Sequence, residues 1–514
     1  MAARGRGAGV TPAEGAHVPD DLWEGMTDDS GFPLDEVYGA GIEPHVTADT
    51  PAEMTAQEAI AARYRLPEEF WGAREMFKAI RQAAWASQTH PDAVLACVLA
   101  RAAGAIGHEV TFDTGKSIGT LSLFACLLSG SGIGKSDAYK AAKRLTRLPS
   151  YLLEPGGAVN MDVFRDGLNI STGEGLAETY MGTVELEATN PDGSVKMAIR
   201  GRGRNAVPEP EMVKVRRAVR HRAFFFVDEG EALTKLMHER SGATLGPHLR
   251  TAWSGGTLSQ ANASEDRFRL VPAESYTMGV IIGYQPETAV AMLSDVGPGT
   301  PQRFLWFGAT DTEMPDPEED FEFPEPMTVP AEERRTGVIQ FPAELRKWFR
   351  HQIWGKHRGT IQFDPMDSHE PLMRAKLSAL LCYLDGRMLV NRDDWVLAGM
   401  IWSVSVAIRN RLIRHRDEEN ARLAEEKRTA RLAEATELEV MKVAVSSDVE
   451  RVARRIHRIV NETFDPVKRW SLKKDKMGRD KAFFDAALAH ARRVGWIAEE
   501  EVDGCLVLGS DSPS

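Results

Sequence analysis

The chain predicts an α/β fold built on a mostly parallel sheet, and three observations carry this. An apolar run, Gly119–Leu128, breaks into a glycine-rich loop ending in Lys135-Ser136, with a helical pattern behind it. A second run, Ala223–Val227, sets five apolar residues before the pair Asp228-Glu229. Further apolar runs, Ser275–Gln285 and Arg303–Phe307, follow helical segments. Uninterrupted apolar strands suit a sheet covered by helices on both faces, and strand–helix alternation makes such a sheet parallel.

Taken in order, residues 1–60 are rich in Gly, Pro, Asp and Glu without a sustained period, so a disordered acidic tail is expected. Residues 61–118 read as a helical brace. Phe70, Trp71, Met76, Phe77, Ile80 and Ala84 fall on one helical face, and His90-Pro91-Asp92 opens an alanine-rich helix through Gly104. Gly107–Phe112 adds a strand. Residues 119–312 form the expected core, with Asn169–Tyr180 as strand end, turn and Thr172-capped helix, and 183–222 as a basic insertion containing an NPDG turn. Residues 313–445 read as a Pro/Glu-rich linker, a small helical lid (Leu372–Leu389, Trp395–Leu412) and a solvated connecting helix with pairs such as Glu418–Arg422. Residues 446–510 pattern as a winged-helix-like domain: helix Val449–Thr463, helix Gly478–Arg493 and a hairpin turning at Asp503-Gly504.

A length of 514 residues implies two to four domains. No run of eighteen uncharged apolar residues occurs and Met1–Gly15 lacks a signal-peptide core, so a cytoplasmic protein without a membrane partner is expected. Cys97, Cys126, Cys382 and Cys505 form no C-x-x-C pair and read as buried free thiols. The net charge of −12 is segregated, with basic residues gathered at Lys196–Arg222 and Arg451–Arg493, so it does not exclude a nucleic-acid partner.

The loop Ser129, Gly130, Ser131, Gly132, Ile133, Gly134, Lys135, Ser136 and Asp137 has the strand–loop–helix setting that wraps backbone N–H groups around phosphates. Its first position departs from the G-x-x-x-x-G-K-[ST] pattern, since Ser129 stands where glycine is usual. Such a loop predicts ATP, with Lys135 on the β- and γ-phosphates and Ser136 on Mg2+. Asp228 is the second candidate for Mg2+, and Glu229 the candidate to polarise water. Glu174 competes for that role from the end of another strand. Gln285, ending a strand, is a candidate water-orienting or sensing group. Arg303, after a Gly-Pro loop, is a candidate arginine finger from a neighbouring subunit, and Arg374 a candidate to reach the phosphates from the lid. Arg200, Arg202 and Arg204 in the insertion, and Lys473, Lys474, Lys476 and Arg479 near the last helix, are candidates for nucleic-acid phosphates.

The segments HPDAVLACVLARAAGAIG, LLSGSGIGKS, FFFVDEGEAL, LRTAWSGGTLS, YTMGVIIGYQPE and GTPQRFLW, in this order, resemble phage and mobile-element ATPases of the primase–helicase type. The resemblance spans Pro67–Trp402. It implies a RecA/AAA-like P-loop ATPase, a homo-oligomer of hexameric-ring type, coupling hydrolysis to movement on single-stranded or forked DNA during replication. Through it, Lys135, Ser136, Asp228, Glu229, Gln285 and Arg303 carry over as phosphate loop, metal-binding acid, catalytic acid, sensor and finger. Many relatives carry a primase–polymerase domain, for which Met1–Leu66 is too short. The alternative is a regulatory or loader ATPase that acts on a protein partner, such as a replication protein, through the winged helix.

Overall fold

The computed structural model describes residues 64–200, 207–238, 244–260, 268–293, 297, 299–311, 313–316, 319, 321–361, 364–463, 465–499 and 505–513. The expected tail, Arg202, Arg204 and the Asp503-Gly504 turn lie outside them. The chain divides into two compact units, Met1–Arg416 and Asp417–Ser514.

In the first unit, the helical face predicted from Phe70 to Ala84 is split between α1 (Glu68–Gly72) and α2 (Glu75–Ala86). The break falls where Arg74 turns extended and sends its guanidinium to the buried carboxylate of Asp394 (2.6 Å) and the carbonyl of Leu381 (3.1 Å). Helix α3 (Pro91–Ile106) is buried along its whole length, as its alanine-rich sequence requires. It crosses a five-stranded sheet made of β1 (Leu123–Leu128), β2 (Arg165–Leu168), β3 (Arg222–Val227), β4 (Thr277–Tyr284) and β5 (Leu305–Gly308). The sheet is wholly parallel, in the order β5-β1-β4-β3-β2. Between the strands run α4 (Lys135–Leu145), α5 (Gly173–Tyr180), α6 (Gly230–His238), α7 (Leu245–Trp253) and α8 (Pro286–Leu293). The side chain of Thr172 caps α5 by accepting from the amide of Gly175.

The run Gly119–Leu128 is divided. Ile118–Thr120 pairs instead with Val110–Asp113, which lies beside Gly337–Gln340 in a separate three-stranded sheet. The insertion is a ribbon: Met181–Glu187 pairs with Met212–Ala218, and Met197–Arg200 continues outward against Val207–Pro210.

After the sheet come α9 (Ala343–Arg358), α10 (Glu370–Leu384) and α11 (Arg392–Glu462). The helices expected to form a lid, α10 and the start of α11, bury Met373, Leu377, Leu380, Leu381, Trp395, Ile401 and Ile408 in the same core as the sheet. The stretch Arg392–Ala435 is long and apolar enough to cross a membrane, yet half of its apolar window is packed inside the protein. Three expected helices merge into α11, whose 71 residues contain one glycine and no proline to stop it. On it Arg422 pairs with Glu419 (2.6 Å) and Glu426 (2.8 Å) rather than with Glu418. All four cysteines are buried.

In the second unit, Val452, Ile456 and Val460 of α11 pack with Leu472, Met477 and the residues Phe484 and Leu488 of α12 (Phe484–Arg493). A three-stranded antiparallel sheet closes it, with Cys505–Leu508 between Val467–Lys468 and Ile497–Glu499. The helix expected from Gly478 begins as a 3-10 turn, Gly478–Ala482, with Asp480 bound by Arg451 and Arg455 of α11.

Candidate functional site

The loop Ser129–Gly134 leaves the carboxyl end of β1 between β5 and β4, the edge at which open α/β sheets take their ligands. Gly132 and Gly134 have φ of 74° and 73°, in the left-handed region. At Gly134 a side chain is excluded twice over, since a Cβ would also lie 2.2 Å from the carbonyl oxygen of Ala309. Ser129 needs no such conformation. Its hydroxyl donates to the carbonyl of Ile133 and closes the loop on itself, so serine is well accommodated where glycine is usual.

Lys135 folds back over the loop. Its ammonium donates to the carbonyls of Ser129 (3.1 Å) and Gly130 (3.0 Å) and to the Ser129 hydroxyl (3.1 Å). All three partners are uncharged. Partial burial pulls the Lys135 pKa below the usual lysine value, against the opposing field of Asp228. The stem of Lys135 lies against Gly283 of β4, where a Cβ would come within 3.0 Å of Cδ and 2.7 Å of the Asp228 carbonyl oxygen.

Ser136, in the first turn of α4, donates its hydroxyl to Asp228 Oδ2 at 2.9 Å. Glu229 is exposed beside Asp228 and makes no ion pair or hydrogen bond among the described residues. Glu174 stands one strand further out, after β2, and its carboxylate is held by Arg269 at 3.6 Å. Gln285 is exposed at the end of β4, the strand between β1 and β3, and its carbonyl accepts from the amides of Thr288 and Ala289 at the start of α8. Asp137 is exposed on the first turn of α4 and pairs with Lys140 at 3.0 Å. Ser131 and Ile133 are exposed on the loop.

The strand order therefore brings Ser129 through Ser136, Asp228, Glu229 and Gln285 to one edge. Two groups the sequence did not mark also build this edge: Thr89 Oγ1 donates to the Gly134 carbonyl (3.1 Å), and the Ala309 amide donates to the Leu128 carbonyl (2.8 Å). Neither carries a motif, because each acts on a backbone carbonyl, one in the loop and one in the strand that feeds it.

Arg303 is elsewhere. Leu305 of β5 lies beside Ala125 of β1, so Arg303 sits at the amino end of the strands, roughly 15 Å from the loop at about 3.3 Å per strand residue. Its guanidinium lies over Trp253 at 5.6 Å and makes no ion pair among the described residues. Burial and neighbouring Arg250 push its pKa down to about 10. Nearby His369 is lowered to about 4 by burial and by the charges of Arg303 and Lys356. Arg374 does not reach the loop: it is buried against Trp395 (4.3 Å) and paired with Glu370 (3.4 Å). Arg200 is exposed on the ribbon and pairs with Glu209. In the second unit Lys473 is bound by Asp485, and Lys474 lies over Trp470 at 5.9 Å. Lys476 and Arg479 are exposed.

The loop's donors fit a nucleotide's phosphates, and the oxygens of Ser136 and Asp228, already adjacent, fit a hard divalent cation such as Mg2+. Among the described residues no group of three or more His, Cys, Asp or Glu is disposed to hold a metal. Compared with models of protein families and with curated proteins, the chain gives no match.

Proposed function

We propose that the chain is an ATP-hydrolysing DNA helicase or translocase of the RecA/AAA-like P-loop class, acting in the cytoplasm in phage or plasmid replication. The observation that carries the reading is the junction of Lys135, Ser136 and Asp228 beside an uncommitted Glu229. Lys135 exchanges its loop carbonyls for the β- and γ-phosphates. Ser136 and Asp228 would hold Mg2+, which when bound neutralises charge on the phosphates. Glu229 orients and polarises the attacking water, and Gln285 stands where it can meet the γ-phosphate. Arg303, too far from its own loop, is available to the loop of a neighbouring copy, which supports a ring-forming homo-oligomer, hexameric by the resemblance.

The helix–helix–antiparallel-sheet order of 417–514 supports a winged helix there. The ion pair of Lys473 with Asp485 withdraws one cation from nucleic acid and favours a second reading, a regulatory or loader ATPase that engages a protein partner through this unit. Steady-state ATP hydrolysis with and without single-stranded DNA, with Lys135→Ala as the blank, separates the two. Stimulation of about tenfold supports the motor. DNA-independent hydrolysis favours the regulator, and hydrolysis that survives Lys135→Ala overturns both.

A further inference from the structure

Helix α9 is anchored by Leu345, Trp348, Phe349 and Gln352, which are buried in the core of the first unit. Its opposite face carries Lys347, Arg350, His351, Trp354, His357 and Arg358, all exposed, at the i, i+3, i+4, i+7 spacing of one helical stripe. Two things distinguish this face from a merely solvated one. Lys347, Arg350 and Arg358 form no ion pair among the described residues, whereas Arg422 on α11 is clasped by two glutamates. Trp354, 55% exposed, sits among these cations, with the Arg358 guanidinium 5.6 Å from its ring and His351 edge-on at 6.4 Å.

We infer that this stripe is a binding site for single-stranded DNA, with Lys347, Arg350 and Arg358 on backbone phosphates and Trp354 as a stacking platform for a base. The stripe spans about 16 Å along the helix. Charge complementarity selects a polyanion, and an indole between cations selects one that also offers flat aromatic faces. A membrane surface fits less well, because the apolar face of α9 is already committed to the core and the exposed face holds no large aliphatic side chain. The choice of DNA rests on the function proposed above.

The test is fluorescence anisotropy of a labelled oligothymidylate of about 20 nucleotides with the full chain, without nucleotide, across a salt series. The triple variant K347E/R350E/R358E is expected to weaken binding at least tenfold and to flatten the salt dependence by roughly two log units per decade. Trp354→Ala is expected to weaken binding about tenfold while Trp354→Phe retains most of it. Thermal unfolding of each variant reports its fold, and should the triple variant unfold, the Trp354 pair decides alone. Parent-like binding by Trp354→Ala and the folded triple variant overturns the inference, as does no binding by the parent. It is equally overturned if the parent binds only oligouridylate, or if the triple variant loses only anionic vesicles. Because ATP takes no part, failed hydrolysis leaves this result standing, and failed binding here leaves the phosphate-loop assignment standing.

Discussion

The hydroxyl of Ser136 donates to the carboxylate of Asp228 at 2.9 Å, although 92 residues separate them in the chain. Parallel pairing of β4 with both β1 and β3 makes the contact, by setting the end of the loop strand and the end of the acidic strand at one level. The hydrogen bond joins the two side chains that would hold Mg2+, so the oxygens a hard cation prefers already stand together before any cation binds.

Lys135→Ala is expected to lower ATP hydrolysis by about a hundredfold or more, the scale of losing one charged transition-state contact. Denaturant unfolding checks that the loop survives, since the three hydrogen bonds made by the ammonium are lost too.

Glu229→Gln is expected to bind ATP as the parent does while single-turnover hydrolysis falls by roughly a hundredfold. Glu174→Gln is expected to stay within a few-fold, because Glu174 is already engaged by Arg269. The reverse pattern reassigns the water-activating acid to Glu174.

Arg303→Ala is expected to be inactive alone and to regain partial activity when mixed with Lys135→Ala, since each copy then supplies what the other lacks. No recovery in mixtures that co-assemble by size-exclusion chromatography sinks the trans assignment.

Gly283→Ala places a methyl group 2.7 Å from the Asp228 carbonyl and 3.0 Å from the Lys135 stem. One of the two must shift, so about 1–3 kcal/mol of stability is lost and KM for ATP rises. A urea series with the ATPase assay reads both.

Lys376 is buried, donates to the Thr120 carbonyl and has its pKa pulled down to about 7 by desolvation. Between about pH 7 and the ordinary lysine value the unfolded chain holds a proton that the native chain has released. Stability attributable to this site therefore rises with pH across that window and is flat below it. Urea midpoints of the parent relative to Lys376→Met should improve from pH 7 to pH 9.5, and a parallel pair of curves contradicts the burial argument.

Sequence by itself determined the parts whose conformation is set within about ten residues. The loop Ser129–Ser136 is read from its glycines, β3 from five apolar residues and an acidic end, α3 from its alanines, and the Thr172 cap from one hydroxyl before a helix. Such features depend on local φ/ψ limits, periodicity and capping, which a short window contains. Only the tertiary structure decided the strand order, the placement of Arg303 away from its own loop, the commitment of Glu174 and Arg374 to partners, and the fusion of three expected helices into α11. It also decided which face of α9 stays in water, because its patterned aromatics fix the buried side only once a core exists to receive them. Each of these depends on which distant groups meet, a matter of long-range packing and charge pairing that no local pattern encodes.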